Sequence, residues 1–337
     1  MSDHDHPHDH AHDHSHGHGH THGIVDPSIA TSGRGLWAIK WSFAGLAVTA
    51  ALQLVVVVIS GSVALLADTI HNFGDAATAI PLAIAFWFAR KKPSERFTFG
   101  YGRVEDLAGV AIVLTILASA IIAGYESIER LLHPQDISYL GAVMAASIIG
   151  FLGNEAVAMF RIRVGQEINS AALVADGYHA RVDAWTSLAV LFGAAGVWLG
   201  YPLADPIVGL LITAAIFGIV IQSGKSIFVR MLDGADPDVI DELRDAAAHV
   251  PQVEEVTEVR ARWLGHRLHA ELNIAVDPEL TIAAAHAVAA EVRHQLLHRL
   301  EYLSLVVIHV DPADQSGEAH HRIEEHAHDG LAAHSHG

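Results

Sequence analysis

The sequence contains no cysteine. Disulfide bonds and thiolate metal ligands are therefore excluded, because both require the cysteine sulfur. Charged residues make up only 17% of the chain, whereas soluble domains carry about 25%. Basic residues are the scarcer kind: 20 lysines and arginines stand against 38 aspartates and glutamates, for a net charge of −18. This balance excludes a nucleic-acid partner, since a phosphate-binding surface is basic, and it favours cations as partners.

Three sequence motifs are also missing. No apolar segment contains the H-E-x-x-H pattern of a zinc peptidase, and the chain has no P-loop for ATP-driven transport. The first 23 residues lack the basic start and the apolar core of a secretory signal peptide. A membrane metalloenzyme is therefore the weaker alternative, and we expect no enzymatic activity.

The chain instead has long apolar segments, with a mean hydropathy of +0.33. A bilayer core of about 30 Å needs roughly 20 mostly apolar helical residues. Six segments meet that length: about 37–60, 63–89, 104–131, 138–161, 170–198 and 205–229. We predict a disordered histidine-rich tail over 1–35, a six-helix membrane domain over 36–230, a soluble domain over 231–312 and a second disordered histidine-rich tail over 313–337.

Basic residues predict the orientation of these spans. They lie between spans two and three and at the end of span four, as Arg90, Lys91, Lys92, Arg96, Arg103, Arg161 and Arg163. The positive-inside rule places both of these loops in the cytoplasm. Both termini and the soluble domain are then cytoplasmic, and the absence of targeting features favours a bacterial inner membrane.

Two of the spans contain the same polar pattern, A-D-x-x-H-x-x-x-D-A. Span two has His71 and Asp75, and span five has His179 and Asp183. Residues four apart share one face of a helix. Carboxylates in mid-membrane are costly and usually functional. Two imidazoles and two carboxylates at one depth predict a tetrahedral Zn2+ site.

Other polar residues in the spans are assigned around these four ligands. Asp68 and Asp176, each three residues before a histidine, are predicted to orient the imidazoles or to attract cations along the pathway, and Asn154 is grouped with them. Arg181 lies on the opposite side of its helix from His179. We predict that it pairs with Glu155 of span four.

From residue 37 to 312 the sequence resembles the cation diffusion facilitators. The resemblance rests on the two H-x-x-x-D pairs, on Phe99-Gly100-Tyr101-Gly102-Arg103-Val104-Glu105 entering span three, on Glu129 to Pro134 leaving it, and on Asp205-Pro206. It implies a homodimer in the lipid bilayer that exports a divalent metal in exchange for protons. A His/Asp tetrad resembles that of the zinc-preferring members, although imidazole ligands do not separate Zn2+ from Co2+ or Ni2+.

The resemblance has further implications for the cytoplasmic half. It implies a ferredoxin-like αββαβ domain, and Arg103 in the position of a basic residue that pairs with an acidic one, here Asp233, after span six. Some relatives bind a second metal between spans two and three, but residues 94–101 contain no histidine. We therefore expect no metal site in that loop.

Periodicity in the soluble half predicts helices over 236–249 and 279–299, and strands over 254–263, 267–276 and 303–311. His309 and Asp311 share one face of the last strand. Relatives bind metal with residues resembling these two and His286, and His269 faces outward on the second strand. These four residues form the predicted cytoplasmic metal site. The remaining histidines of the domain are expected to be exposed: His249, His266, His294 and His298.

Histidine occupies every even position from His4 to His22, and six more histidines lie near the C-terminus. Neither segment can bury a core, so both are predicted to be disordered without metal, and they are suited to collecting it. A metal sensor or storage protein is therefore a third interpretation. It leaves the carboxylates within the spans unexplained.

Overall fold

The computed structural model describes residues 27–60, 79–133, 139–201, 203–317, 323–326 and 334–336. Within these residues, the membrane half consists of α1 Pro27–Ser60, α2 Ala79–Ala89, α3 Arg103–Leu132, α4 Leu140–Glu167, α5 Ala171–Trp198 and α6 Ala204–Met231. Each of these helices coincides with one of the six predicted spans. Helix α2 covers only the second part of span two, whose first part lies outside the described residues.

Four of the helices, α1, α3, α4 and α6, are long and apolar enough to cross a bilayer. Helix α5 is as long as α4, at 28 residues, but it contains Asp176, Arg181 and Asp183. Large apolar side chains remain exposed on the outer faces of the bundle, for example Val58 and Leu211. An apolar exterior of this kind is compatible with lipid rather than with water.

Two predicted boundaries are wrong. Helix α1 begins at Pro27, ten residues before the predicted start of span one, so residues 27–35 are helical rather than part of a tail. Proline is favoured in the first turn of a helix, where its missing N–H is not needed. Helix α4 continues to Glu167, six residues beyond the predicted end of span four, and Arg161 lies inside the bundle, 1% exposed, rather than at the end of the helix.

Helices α4 and α5 pack closely and antiparallel. A Cβ at Gly177 of α5 would lie 2.9 Å from the backbone nitrogen of Ile162, so only glycine permits this approach. The predicted pair is confirmed: Arg181 Nη2 donates to Glu155 Oε1 at 2.8 Å. Further along the same interface, Arg161 Nη1 lies 3.0 Å from Asp176 Oδ2. Two oppositely directed ion pairs therefore join these two helices.

The soluble domain contains α7 Pro237–Ala248, β1 Glu255–Leu264, β2 Arg267–Val276, α8 Ile282–Arg299 and β3 Leu303–Pro312. This order confirms the predicted αββαβ arrangement. The sheet order is β1-β2-β3, with β1 antiparallel and β3 parallel to β2. Alternate residues of β2, such as Leu268 and Leu272, are buried against the helices, as the period of two requires.

The C-terminal region contains two further strands, β4 Ile323–His326 and β5 His334–His336. They pair antiparallel, with His326 opposite His334. The predicted disorder is wrong for these residues. The prediction rested on composition, which does not report whether two short segments can share a backbone ladder.

Candidate metal transport site

Helix α5 carries one half of the predicted metal site. It begins after Ser170, whose Oγ accepts a hydrogen bond from the backbone N–H of Leu173 at 3.0 Å, the usual helix cap. His179 is 1% exposed, and Asp183 follows one turn later and is partly buried. Helix α5 therefore presents an imidazole and a carboxylate on one face, inside the bundle.

The other half of the tetrad, His71 and Asp75, lies outside the described residues, as does Asp68. Helix α2 begins at Ala79, shortly after Asp75, and is apolar throughout its 11 residues. Asn154 is buried within α4, 4% exposed. The structure thus gives the position of His179, Asp183 and Asn154, and the assembly of the four ligands stays a prediction.

Asp176 has a partner that the sequence analysis did not identify. Its carboxylate is 0% exposed and lies against the guanidinium of Arg161. From the sequence, Arg161 is expected at the cytoplasmic end of span four, although the antiparallel register that pairs residue 155 with residue 181 also brings residue 161 near residue 176. Within the described residues, Arg161 Nε and Nη2 have no hydrogen-bond partner. The pair is therefore buried but incompletely satisfied, and it is costly to break.

The predicted cytoplasmic site is only partly assembled within one chain. His309 Nε2 lies 2.8 Å from Asp311 Oδ1. His269 is placed four ladder positions away, about 13 Å along the strand at 3.3 Å per residue. His286 is exposed on α8. In the part of the chain that the structure describes, no three histidine or acidic side chains form a group that could hold a metal.

His269 instead faces the membrane half. Its ring centroid lies 6.3 Å from that of Phe99, and Arg262 is its neighbour on β1. Burial, followed by the charges of Arg262 and Arg267, lowers the pKa of His269 to about 4. His269 is therefore neutral at physiological pH, but two adjacent guanidinium groups repel a divalent cation from it.

Comparison with known proteins identifies the family. The cation efflux transmembrane domain matches residues 39–232, and the cytoplasmic dimerisation domain of cation efflux proteins matches residues 235–313. The chain belongs to the cation efflux family. A probable cation efflux system protein of Mycobacterium tuberculosis is 53% identical over 290 residues, covering 86% of this chain and 87% of the relative.

More distant members are also similar to this cation efflux protein. The manganese efflux system protein MneP of Bacillus subtilis is 28% identical over 75% of this chain and 88% of its own length. A cadmium form of the MamM CTD is 29% identical, covers 23% of this chain and 95% of that structure, and has a TM-score of 0.22. The protein is thus an integral membrane transporter of metal cations, not an enzyme.

In this cation efflux protein, the turn between β1 and β2 is buried in one end of the helix bundle. His266 in that turn is 2% exposed, so the prediction that it is exposed is wrong. Its Nδ1 lies 2.6 Å from Glu105 Oε2 at the start of α3, and its Nε2 lies 3.1 Å from Ser32 Oγ of α1. Glu105 is 1% exposed and accepts a second hydrogen bond, at 2.5 Å, from Ser170 Oγ at the start of α5.

The backbone of the same turn is also held by the bundle. Gly265 has a φ of +64° and donates its N–H to Asp106 Oδ2 at 3.3 Å. Arg230 at the end of α6 donates to the carbonyl oxygens of Gly265 and Asn169 at 3.1 and 2.7 Å. Arg267 Nη2 donates to the carbonyl oxygen of Ala89 at the end of α2, at 2.7 Å. The turn therefore contacts four of the six membrane helices, α1, α2, α3 and α6.

The predicted contact between Arg103 and Asp233 lies beside this turn. Arg103 Nη2 donates to Asp233, and Arg103 Nη1 donates to the carbonyl oxygen of Arg230 at 2.9 Å. That this pair locks the two halves together stays a prediction. The sequence does carry a signal for the Glu105 contact, because an acidic residue in the first turn of a membrane helix needs a partner.

Loss of the Arg161 charge is expected to destabilise the membrane half. Arg161→Gln leaves Asp176 buried without a counter-ion, at a cost of about 3–5 kcal/mol. Thermal unfolding in detergent measures the effect, and Arg163→Gln, an exposed neighbour on the same helix, is the matched control. Equal stability of the two variants would contradict the assignment of a structural ion pair.

The lowered pKa of His269 predicts that the stability of the folded protein depends on pH. Between about pH 6.5, the pKa of an unperturbed histidine, and about pH 4, the unfolded chain binds a proton here that the folded chain does not. Stability is therefore lost as the pH falls through this window. His269→Gln removes this loss of stability. The melting temperature of the variant relative to wild type should therefore be higher at about pH 5 than at about pH 7.5. His294→Gln, at an exposed position, should show no such gain.

Substitution of Gly265 in the β1–β2 turn should loosen the contact between the soluble domain and the helix bundle. Gly265 and Gly317 both have positive φ, so alanine is strained by about 1–2 kcal/mol at either position. At Gly265 the new Cβ would also lie 2.7 Å from Glu105 Oε2 and 2.8 Å from the Gly102 carbonyl oxygen, whereas Gly317 has open space. Gly265→Ala should therefore expose the link after residue 231 to limited proteolysis, and Gly317→Ala should not. Identical digestion patterns would show that the turn does not hold the domains together.

Proposed function

We propose that the protein exports Zn2+ from the cytoplasm in exchange for protons, by alternating access of a site made of His71, Asp75, His179 and Asp183. The observation that carries the proposal is the burial of His179 with Asp183 one turn away on α5. An ionisable pair inside a membrane bundle is expensive, and function is the usual reason to keep it. The repeat of the same spacing in span two supplies the other two ligands.

The choice of metal rests on the ligands. Two imidazoles and two carboxylates match the ligands and the number that Zn2+ prefers, whereas Mn2+ prefers an oxygen-rich site. The relative MneP is named for manganese, so family membership alone does not select a metal. Co2+ and Ni2+ also accept imidazole, and a cobalt, nickel or broad-range exporter is the second candidate.

Proton coupling follows from ligand chemistry. Histidine must lose its proton before it binds a metal, so protons and Zn2+ compete for His71 and His179. A site that opens to each side in turn then exchanges one for the other. The proton gradient across the membrane supplies the driving force for export. The histidine-rich tails collect metal near the cytoplasmic entrance.

The direction of transport rests on the distribution of charge. The exposed Arg90, Lys91 and Lys92 follow α2, at the bundle end that contacts the soluble domain through Ala89. The positive-inside rule assigns this end to the cytoplasm. We infer a homodimer in a bacterial inner membrane with both termini in the cytoplasm, and the dimerisation domain supports the two-fold assembly.

Removal of one ligand should strongly reduce transport. In proteoliposomes with an internal zinc dye and an imposed pH gradient, His179→Ala and Asp183→Asn are expected to reduce Zn2+ flux by at least about tenfold, since each lost ligand costs more than about 1.4 kcal/mol. His294→Ala, a change of the same type at an exposed position, should keep wild-type flux. Repeating the assay with Co2+ and Ni2+ identifies the cargo.

Three results would oppose the proposal. Full Zn2+ flux in both α5 variants would show that the four residues do not form the transport site. Wild-type flux that does not depend on the pH gradient would contradict proton coupling, and the proposed metal site would still stand. Metal binding without flux in any preparation would instead favour the sensor interpretation.

A further inference from the structure

The segment that follows α2 carries a cluster of basic side chains in a chain that is acidic as a whole. Arg90, Lys91, Lys92 and Arg96, called the basic cluster below, are all exposed, and Glu95 is the one acid between residues 90 and 96. Within the residues that the structure describes, none of these four basic side chains makes an ion pair. The described acids of the chain therefore leave this positive charge unneutralised.

An exposed apolar stripe of α2 leads to the basic cluster. Ile80, Ile84 and Trp87 are each about half exposed, and their spacing of four and three residues places them on one face of the helix. Lys91 follows Trp87 by four residues and continues this face, because its backbone N–H donates to the Phe88 carbonyl oxygen at 2.9 Å and extends the last turn. Exposed apolar side chains in a membrane helix contact lipid, and tryptophan is typical of the level of the lipid headgroups. The stripe thus runs from the hydrocarbon to the headgroup region.

Two aromatic rings hold Lys91 at the end of the stripe. Its Nζ lies 4.0 Å from the ring centroid of Trp87 and 4.2 Å from that of Phe88. The rings attract the ammonium group through their quadrupoles, and the N–H groups that point away from them can donate to an oxygen. The charge of Lys91 is therefore positioned beside the bilayer surface.

The loop that carries Arg96 is also held in place. Ser94 and Phe97 exchange two backbone hydrogen bonds, both at 3.1 Å. Arg96 lies beside Phe97, with its Cζ 5.9 Å from the ring centroid. Phe99 is anchored on the soluble domain, where the Cζ of Arg262 on β1 lies 5.0 Å from its ring centroid. A ligand that binds here does not have to order the backbone first, which lowers the cost of binding.

We propose that the basic cluster binds the headgroup of an anionic glycerophospholipid, with an acyl chain of the same lipid lying along Ile84 and Ile80. The charge of the cluster is complementary to a phosphate group that carries a net negative charge. The apolar stripe beside it matches hydrocarbon, which a free phosphate ion lacks. Basic residues next to a membrane helix attract anionic lipids, and each of them strengthens the attraction by about fivefold. The proposal rests on the membrane location of the family and does not depend on which metal is transported.

The absence of native cysteine allows a single fluorescent label to be attached at a chosen position. Ile84→Cys places the label on the apolar stripe of α2. Met159→Cys is the matched control, because Met159 is similarly exposed on α4 and is followed four residues later by Arg163, a single exposed basic residue. The full-length protein is reconstituted in vesicles of phosphatidylcholine and phosphatidylglycerol, and one of the two lipids carries a nitroxide quencher on its acyl chain. Quenching by each lipid in turn gives their relative binding at each label.

The label on the stripe should report a strong preference for the anionic lipid. At Ile84→Cys, phosphatidylglycerol should bind at least about tenfold more strongly than phosphatidylcholine, whereas the ratio at Met159→Cys should stay within about twofold of equality. Lys91→Gln combined with Lys92→Gln should lower the ratio at the first label by about tenfold, and Arg163→Gln should leave it unchanged. About 0.5 M NaCl should also lower this ratio, because salt screens exposed charges.

Three results would overturn the proposal. Equal ratios at the two labels would show that the anionic lipid has no preferred position, and a high ratio that survives the loss of Lys91 and Lys92 would show that the basic cluster does not bind it. Deletion of residues 2–23, which contain four aspartates, tests a competing occupant. A lipid preference that appears only after this deletion would assign the cluster to the acidic tail of the chain itself. The measurement involves neither metal nor flux, so none of these results bears on the proposed transport site.

Discussion

The contact between Glu105 and His266 is the constraint on which the arrangement of the two halves depends. Both side chains are almost completely buried. The Glu105 carboxylate contacts His266 of the soluble domain and accepts a hydrogen bond from Ser170, the residue before α5. A buried carboxylate that loses its partners carries the full cost of desolvation. The soluble domain therefore cannot separate from the bundle without exposing or stranding Glu105.

This constraint reaches the proposed metal ligands through a helix. Ser170 caps α5 and contacts Glu105, and His179 lies nine residues later, about 13.5 Å along the axis. A displacement of the β1–β2 turn changes the hydrogen bond that fixes the start of α5. Because a helix transmits axial shifts over such a distance with little loss, the soluble domain has a short mechanical route to the proposed site.

The sequence predicted features that depend on neighbours along the chain and missed those that depend on partners across the fold. The i, i+4 spacing of His179 and Asp183 and the period-two burial of β2 are local and were recognised. His266 was predicted to be exposed because nothing near it in sequence identifies Glu105, which is 161 positions away. Arg161 was expected at the end of span four because its partner Asp176 becomes visible only from the antiparallel register of α4 and α5. The first turns of α1 were missed because they are less apolar than the span that follows.

The same ion pairs limit how a site on α5 can open. A site that faces two sides in turn needs helices that move relative to one another. Helices α4 and α5 are not such a pair, because Glu155–Arg181 and Arg161–Asp176 would both have to break inside the bundle, and Gly177 interlocks with Ile162. Motion of α4 and α5 as one unit costs neither contact. For the proposed alternating access, the moving boundary then lies between the α4–α5 unit and the neighbouring helices α3 and α6.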